Sequence, residues 1–218
     1  MKRAHLFAVG LVLLLWGATA FAEPKAQSID QISPAGQKLV EFLDKIGVDH
    51  LWLAGHQVVW ETGEPSDKPI AGAGKSTHCS AFAAAVADRL GIYLLRPPEH
   101  KQELLANAQY KWLEEDGKAK GWEEVASAIE AQARANEGEL VVVVFRSPDP
   151  KKPGHIAVVR PTVMTVEELD ATGPTVIQAG RDNHVSTTVR EGFKHHAGAW
   201  DETGKGVKFY AHGIPEKG

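Results

Sequence analysis

Three short apolar segments rich in β-branched residues lie in the second half of this 218-residue chain. They span residues 140–145, 155–159 and 175–178, and Gly, Pro, Asp or Asn residues separate them. Short apolar runs bounded by turn formers are typical of β-strands. Two further segments, residues 185–189 and 206–212, are candidate strands of the same kind. The second half is therefore predicted to form one sheet.

The first half shows helical periodicity instead. The predicted helices span residues 33–46, 79–90, 99–113 and 122–135. In the second of them apolar residues recur every four positions, and Ser76 or Thr77 can serve as the N-cap. A short strand is expected within residues 48–60. The order of elements predicts an α+β fold, with helices of the first half packed on an antiparallel sheet from the second half.

The N-terminus has the pattern of a secretion signal. Lys2 and Arg3 precede an apolar run over residues 6–16, and Ala20-Phe21-Ala22 supplies small residues for cleavage. The run is too short to span a bilayer comfortably, and Glu23-Pro24 follows it at once. We expect a signal peptide over residues 1–22, a periplasmic or secreted protein, and no membrane association after cleavage.

The remaining chain is assigned an N-terminal helix and loop over residues 23–73 and one folded domain over residues 74–218. The formal net charge of the chain is −4, and removal of Lys2 and Arg3 makes it more negative. This charge argues against nucleic acid as a partner.

Cys79 is the one cysteine of the chain, which excludes an internal disulfide. An unpaired thiol in an oxidising compartment is either buried and inert or retained for its reactivity. At the first turn of its predicted helix, unsatisfied backbone N–H groups favour a thiolate. The N–H groups of Cys79 and Ser80 could also face an oxyanion on an attacked carbonyl. The alternative is a small buried residue on the apolar face of the helix.

His155 stands at the head of a predicted strand. There the backbone would fix its ring, and a histidine beside a thiol can act as its general base. A histidine at such a position is more often structural, so the hypothesis depends on the pairing with Cys79.

Two short motifs carry a resemblance to a known family. They are Thr-His-Cys-Ser-Ala-Phe at residues 77–82 and Gly-His-Ile-Ala-Val-Val at residues 154–159. Together they resemble papain-like cysteine amidohydrolases and peptidases of the NlpC and CHAP type, over about residues 74–212.

The resemblance implies a papain-like fold with Cys79 as nucleophile, His155 as base and a third polar residue on the next strand orienting the imidazole. Gln178 occupies that place, where a histidine or an acidic residue is commoner in the family. Asn183 is the alternative.

Fewer signals bear on ligands. Trp60, which precedes the loop leading to Cys79, and His78 beside the nucleophile are predicted to contact substrate. His184, His195 and His196 lack a recognised ligand spacing, so they are interpreted as polar loop residues, and neither a metal nor another cofactor is expected. Residues 71–77 end like a nucleotide-binding P-loop, but Pro69 stands where that pattern requires glycine.

The residues and the resemblance together predict an exported cysteine hydrolase that forms a thioester at Cys79. It would cleave amide or peptide bonds, with cell-wall peptide as the expected substrate. A catalytically inactive exported binding or interaction module on the same fold is the alternative, and an acyl-transfer enzyme on this scaffold is a third possibility.

The secretion signal can be tested directly. Because the apolar run ends in small residues followed by Glu23-Pro24, the exported protein is expected to begin within a few residues of Glu23. N-terminal sequencing of protein from the cell envelope measures this. Recovery of Met1 would show that the run is retained as an anchor.

Overall fold

A computed structural model of the chain describes residues 29–66 and 76–216. The predicted secretion signal, the start of the mature chain, the domain boundary at residue 74 and most of the P-loop-like segment lie outside these ranges. Within them, no helix combines the length and the apolar character that crossing a membrane requires.

One six-stranded antiparallel sheet forms the centre of the fold. Its strands are β1 (Glu123–Val125), β2 (Leu140–Phe145), β3 (His155–Val159), β4 (Thr175–Gln178), β5 (His184–Thr188) and β6 (Lys208–His212). The spatial order is β1-β6-β2-β3-β4-β5, and every neighbouring pair is antiparallel. The three apolar segments at 140–145, 155–159 and 175–178 form strands with the predicted bounds, which confirms that part of the prediction.

Helices account for most of the remaining regular structure. They are α1 (Pro34–Asp44), α2 (Cys79–Arg89), α3 (Leu105–Glu115), α4 (Ala128–Asn136), α5 (Val166–Thr172) and the short α6 (Val189–Gly192), with a 3₁₀ turn at Gly117–Lys120. The α+β class is as predicted. At α1, Pro34 is the first helical residue and the Ser33 hydroxyl accepts the Gly36 N–H at 3.0 Å, which satisfies one unpaired donor.

Helices cover both faces of the sheet, which the predicted arrangement did not include. On one face Val142, Val144 and Ile156 pack in a cluster with α2 and α3. On the other face Val141, Val143 and other residues pack with α4 and with the chain that follows β5. Because successive side chains of a strand point to opposite faces, β2 must be apolar throughout to be buried on both.

Four local predictions are wrong. Residues 48–60 form turns with an isolated bridge between Val58 and Pro65 in place of a strand. The predicted helix over 122–135 divides into β1 and α4, and the one over 99–113 starts only at Leu105. The N-cap of α2 is His78, whose side chain makes no capping hydrogen bond, so neither Ser76 nor Thr77 caps it.

The buried Gln132 and the partly exposed Asn107 hydrogen-bond to the chain at the ends of the strands that carry the site. Gln132 on α4 accepts the Thr175 N–H at 3.1 Å and donates to the Arg160 carbonyl at 2.9 Å, which joins the end of β3 to the start of β4. Asn107 on α3 donates to the Lys152 carbonyl at 2.9 Å and so holds the connection from β2 to β3. The two contacts determine where β3 begins and where β4 runs.

Gly154, directly before β3, has no room for a side chain. A Cβ there would overlap the Phe145 carbonyl oxygen and come within 2.5 Å of Asn107 Oδ1. Since backbone at Phe145 cannot move without disturbing its pairing with His155, Gly154→Ala should lower the free energy of unfolding by about 1–3 kcal/mol. Denaturant unfolding measures this change.

Gly213→Ala is the matched control, because a Cβ at that position meets no atom within 4 Å. An equal effect of the two substitutions would show that the close approach at Gly154 is unimportant.

Candidate active site

Cys79 is the first residue of α2, and that helix packs against β3. Its side chain is buried, with 5 % of the residue exposed. The backbone N–H groups of Ile156, Ser80 and Cys79 and the Ser80 hydroxyl lie near enough to the sulfur to favour its charged form. Because Ile156 directly follows His155, the sulfur lies one peptide unit from the head of β3. The structure therefore brings both motifs of the resemblance to the same place.

Burial raises the pKa of the Cys79 thiol above its ordinary value, and the three N–H donors only partly oppose this effect. Desolvation disfavours the charged form of any acid, and here it outweighs the hydrogen bonds to sulfur. The N–H groups at the helix start do favour the thiolate, as predicted, but burial outweighs their effect in this environment. Cys79 is a protonated thiol at neutral pH.

Gln178 is the hydrogen-bond partner of His155. The distance between His155 Nε2 and Gln178 Oε1 is 3.0 Å, and both side chains are buried. Gln178 Nε2 lies 3.4 Å from the carbonyl oxygens of Asp182 and Gly192, so the amide nitrogen faces these acceptors and Oε1 faces the ring. An amide oxygen only accepts, and Nε2 of the imidazole must therefore carry the proton. The other ring nitrogen, Nδ1, is left unprotonated.

Burial lowers the pKa of His155 from 6.5 to about 4, and the hydrogen bond to Gln178 opposes this shift only in part. A neutral amide has no charge with which to stabilise an imidazolium, so desolvation dominates. His155 is consequently neutral and able to accept a proton at neutral pH.

Two further aromatic rings lie against His155. Phe193 meets it edge to face with centroids 4.5 Å apart, and His196 stacks on it nearly parallel at 5.1 Å. No sequence pattern singles out Phe193, and the spacing of the histidines predicts His196 only as a polar loop residue. Only the path of the chain after α6 places them here.

The Cys79 thiol and the His155 ring approach the head of β3 from different sides. Cys79 belongs to the core cluster under α2, whereas the His155 ring packs on Phe193, which belongs to the cluster of the other face. None of the hydrogen bonds among the described residues joins the two side chains, and none occupies His155 Nδ1.

Asn183, unlike Gln178, makes its hydrogen bonds to backbone groups. Its Oδ1 accepts the Gly180 N–H at 3.0 Å, and its Nδ2 donates to the carbonyls of Val48 and Leu51 at 2.7 and 2.9 Å. These bonds close the turn between β4 and β5 and tie it to the chain after α1. Of the two candidates, Gln178 is the one that contacts the imidazole.

The two residues predicted to contact substrate have protein partners. His78 is buried, and its Nε2 donates to the His56 carbonyl at 2.6 Å, so its ring faces inward. Burial also lowers its pKa. Trp60 is half-buried with the Arg96 guanidinium 5.5 Å from its ring centroid, and it does not line the cleft beside His155.

A cleft of about 150 Å³ opens beside His155 and Gln178. Thr77 lies on its wall, next to the helix that begins at Cys79. Charged residues of both signs surround it: Arg181, Asp182, Glu191 and Lys194. A larger cavity of about 390 Å³ beside Trp200 has no cysteine or histidine in its lining. Within residues 29–66 and 76–216, no group of three or more His, Cys, Asp or Glu side chains is arranged to hold a metal ion.

Comparison with known proteins finds no family model that matches the chain and no match among curated proteins.

The neutral state of His155 predicts a pH dependence of stability. Between pH 6.5 and about 4 the unfolded chain takes up a proton at this residue and the folded protein does not. The contribution of the neutral His155 to the free energy of unfolding is therefore fully present above pH 6.5. It is lost as the pH drops toward 4, by about 3 kcal/mol for one such histidine. Denaturant unfolding across this pH range measures the change.

His155→Gln provides the comparison, because it removes the titrating group and keeps a polar side chain. Its stability should depend less steeply on pH than that of the wild type, with the remaining slope including His196, whose pKa burial also lowers to about 4. Identical slopes for the two proteins would contradict the assignment.

Proposed function

We propose that the chain is an exported papain-like cysteine hydrolase that cleaves amide or peptide bonds. The observation that carries the proposal is the buried hydrogen bond between His155 and Gln178 at the head of β3, the strand against which the helix of Cys79 packs. It fixes the tautomer that leaves Nδ1 as a base, one residue from the backbone N–H that contacts the thiol. The resemblance and the expected export favour peptides of the cell wall as substrates.

The proposed reaction requires His155 Nδ1 and the Cys79 thiol to come within hydrogen-bond distance of each other, and it then divides into two acyl transfers. His155 Nδ1 accepts the thiol proton as the Cys79 sulfur bonds to the carbonyl carbon, and the imidazolium then returns this proton to the departing amine. The thioester remains on Cys79. Water next attacks its carbonyl carbon while Nδ1 accepts a proton, and that proton returns to sulfur as the carboxylic acid leaves.

Backbone N–H groups supply the stabilising donors. The first N–H groups of a helix have no partner within it, and those of Cys79 and Ser80 lie at the sulfur. In the tetrahedral intermediate the new oxyanion is bonded to the carbon that sulfur attacks, close to these donors. They can stabilise its charge without reorganisation.

Because Gln178 is uncharged, it favours an imidazolium at His155 only weakly before the substrate is attacked. Because both the thiol and the imidazole are neutral at rest, the proton moves during the attack and no thiolate–imidazolium pair is present beforehand. The side chain that orients His155 stabilises the imidazolium only through a dipole. Its removal should therefore cost less than removal of the base itself.

An inactive exported binding module on the same fold is the second candidate. The specific observation that favours it is the burial of Cys79, which raises the pKa of its thiol, together with the absence of a described hydrogen bond between this thiol and His155. Iodoacetamide separates the two functions. An active enzyme should be alkylated at Cys79 and lose activity in parallel, whereas a binding module should resist alkylation until it unfolds.

Substitution tests the catalytic residues. Cys79→Ser and His155→Ala should each abolish hydrolysis of cell-wall peptides with the folded structure retained, because the two residues act as one unit. Gln178→Ala should lower kcat and leave activity above that of His155→Ala. Mass spectrometry of cell-wall fragments incubated with the mature protein identifies the products, and single-substrate kinetics then give kcat.

Asn183→Ala is the matched control for Gln178→Ala, since both remove an amide near the same turn. Asn183 ties backbone segments together, so its loss should lower the melting temperature more than kcat. The orienting role would pass to Asn183 if Asn183→Ala lost kcat with an unchanged melt while Gln178→Ala behaved as wild type. If the Cys79→Ser protein kept the wild-type kcat, Cys79 could not be the nucleophile.

A further inference from the structure

The chain after α6 lays two aromatic side chains on the candidate base. The ring of His196 stacks on that of His155 with centroids 5.1 Å apart and planes 11° apart. Phe193 approaches the same imidazole edge on, at 4.5 Å and 71°. The His196 N–H also bonds to the Phe193 carbonyl at 2.8 Å, so one short turn carries both rings.

We propose that His196 is a positioning residue whose stacked ring confines the His155 imidazole to the orientation in which Nε2 faces Gln178 and Nδ1 stays open. Its effect on catalysis rests on the proposed function of His155 as the base. The orientation itself does not, and it can be observed without any substrate.

The argument starts from what a single hydrogen bond can fix. The bond from His155 Nε2 to Gln178 Oε1 holds one corner of the ring, and the ring plane can still turn about that bond. A parallel ring on one side and a perpendicular ring on another remove this freedom, because rotation would drive the imidazole into one of them. The two rings thus remove the rotation of the imidazole that the hydrogen bond to Gln178 leaves free.

His196 is itself well anchored for this task. Its ring also meets Phe145 edge to face at 6.0 Å, and Phe145 is the residue of β2 that pairs with His155. The stacked ring of His196 therefore contacts the same pair of strands, β2 and β3, that carries His155. Burial lowers the pKa of His196 to about 4, so both stacked rings are neutral near pH 7 and do not repel each other.

The test compares three substitutions at one position. His196→Ala removes the ring, His196→Leu fills its volume without a planar face, and His196→Phe restores a ring that can stack. His100→Ala is the control, because it removes a partly exposed imidazole, remote in sequence from the site, whose hydrogen bond is to the neighbouring Lys101 carbonyl. The full mature chain is used, and melting curves establish that each variant is folded.

The direct readout is the tautomer of His155, observed by NMR of ¹⁵N-labelled histidine. Wild type, His196→Phe and His100→Ala should show the Nε2–H form alone. His196→Ala and His196→Leu should show exchange between tautomers and a kcat lower by about tenfold or more with KM nearly unchanged, since small misplacement of a base is costly. If the alanine variant does not fold, the leucine and phenylalanine variants carry the comparison.

The outcomes separate this inference from the proposed function. A single Nε2–H tautomer in a folded His196→Ala or His196→Leu protein would overturn the inference. So would a His196→Phe protein as impaired as His196→Leu, since stacking would then not be the cause. If wild type hydrolyses nothing while the tautomer responds as expected, the proposed function fails and the positioning role of His196 stands.

Discussion

Strands β2 and β3 pair with all their side chains buried, and the rest of the structure depends on this central pair. Backbone groups in such an interior must satisfy one another, which the antiparallel ladder does. Because both faces are covered, α2 has to lie on one face and α4 on the other. This burial fixes the head of β3 relative to the start of α2, with Cys79 on one face of the sheet and the His155 ring on the other.

The same burial explains the electrostatics of the candidate site. Desolvation raises the pKa of Cys79 and lowers that of His155, so both groups are neutral at rest. A carboxylate in place of Gln178 would favour the imidazolium, whereas the amide here favours the neutral ring. For the proposed reaction this neutrality implies proton transfer during the attack on the substrate, in a site whose shape is set by packing and not by charge.

Several weak contacts together fix the orientation of the His155 imidazole. Gln178 holds Nε2, its own amide is held by the carbonyls of Asp182 and Gly192, and the rings of Phe193 and His196 limit the imidazole plane. No single contact is strong, but together they leave the ring one position. The segments after β4 and α6, which contribute no proposed nucleophile or base, thereby supply contacts that orient the His155 ring.

The sequence by itself determined the central strands, because β-branched apolar runs bounded by turn formers fit little else. It also determined that Cys79 would begin a helix and that Gln178 would end a strand, since periodicity and turn residues are local signals; that this strand lies next to β3 was implied by the family resemblance. It could not determine the pKa of Cys79, the inward direction of His78 or the place of His196. These depend on which distant segments cover a side chain, and desolvation and stacking arise only when the chain is packed.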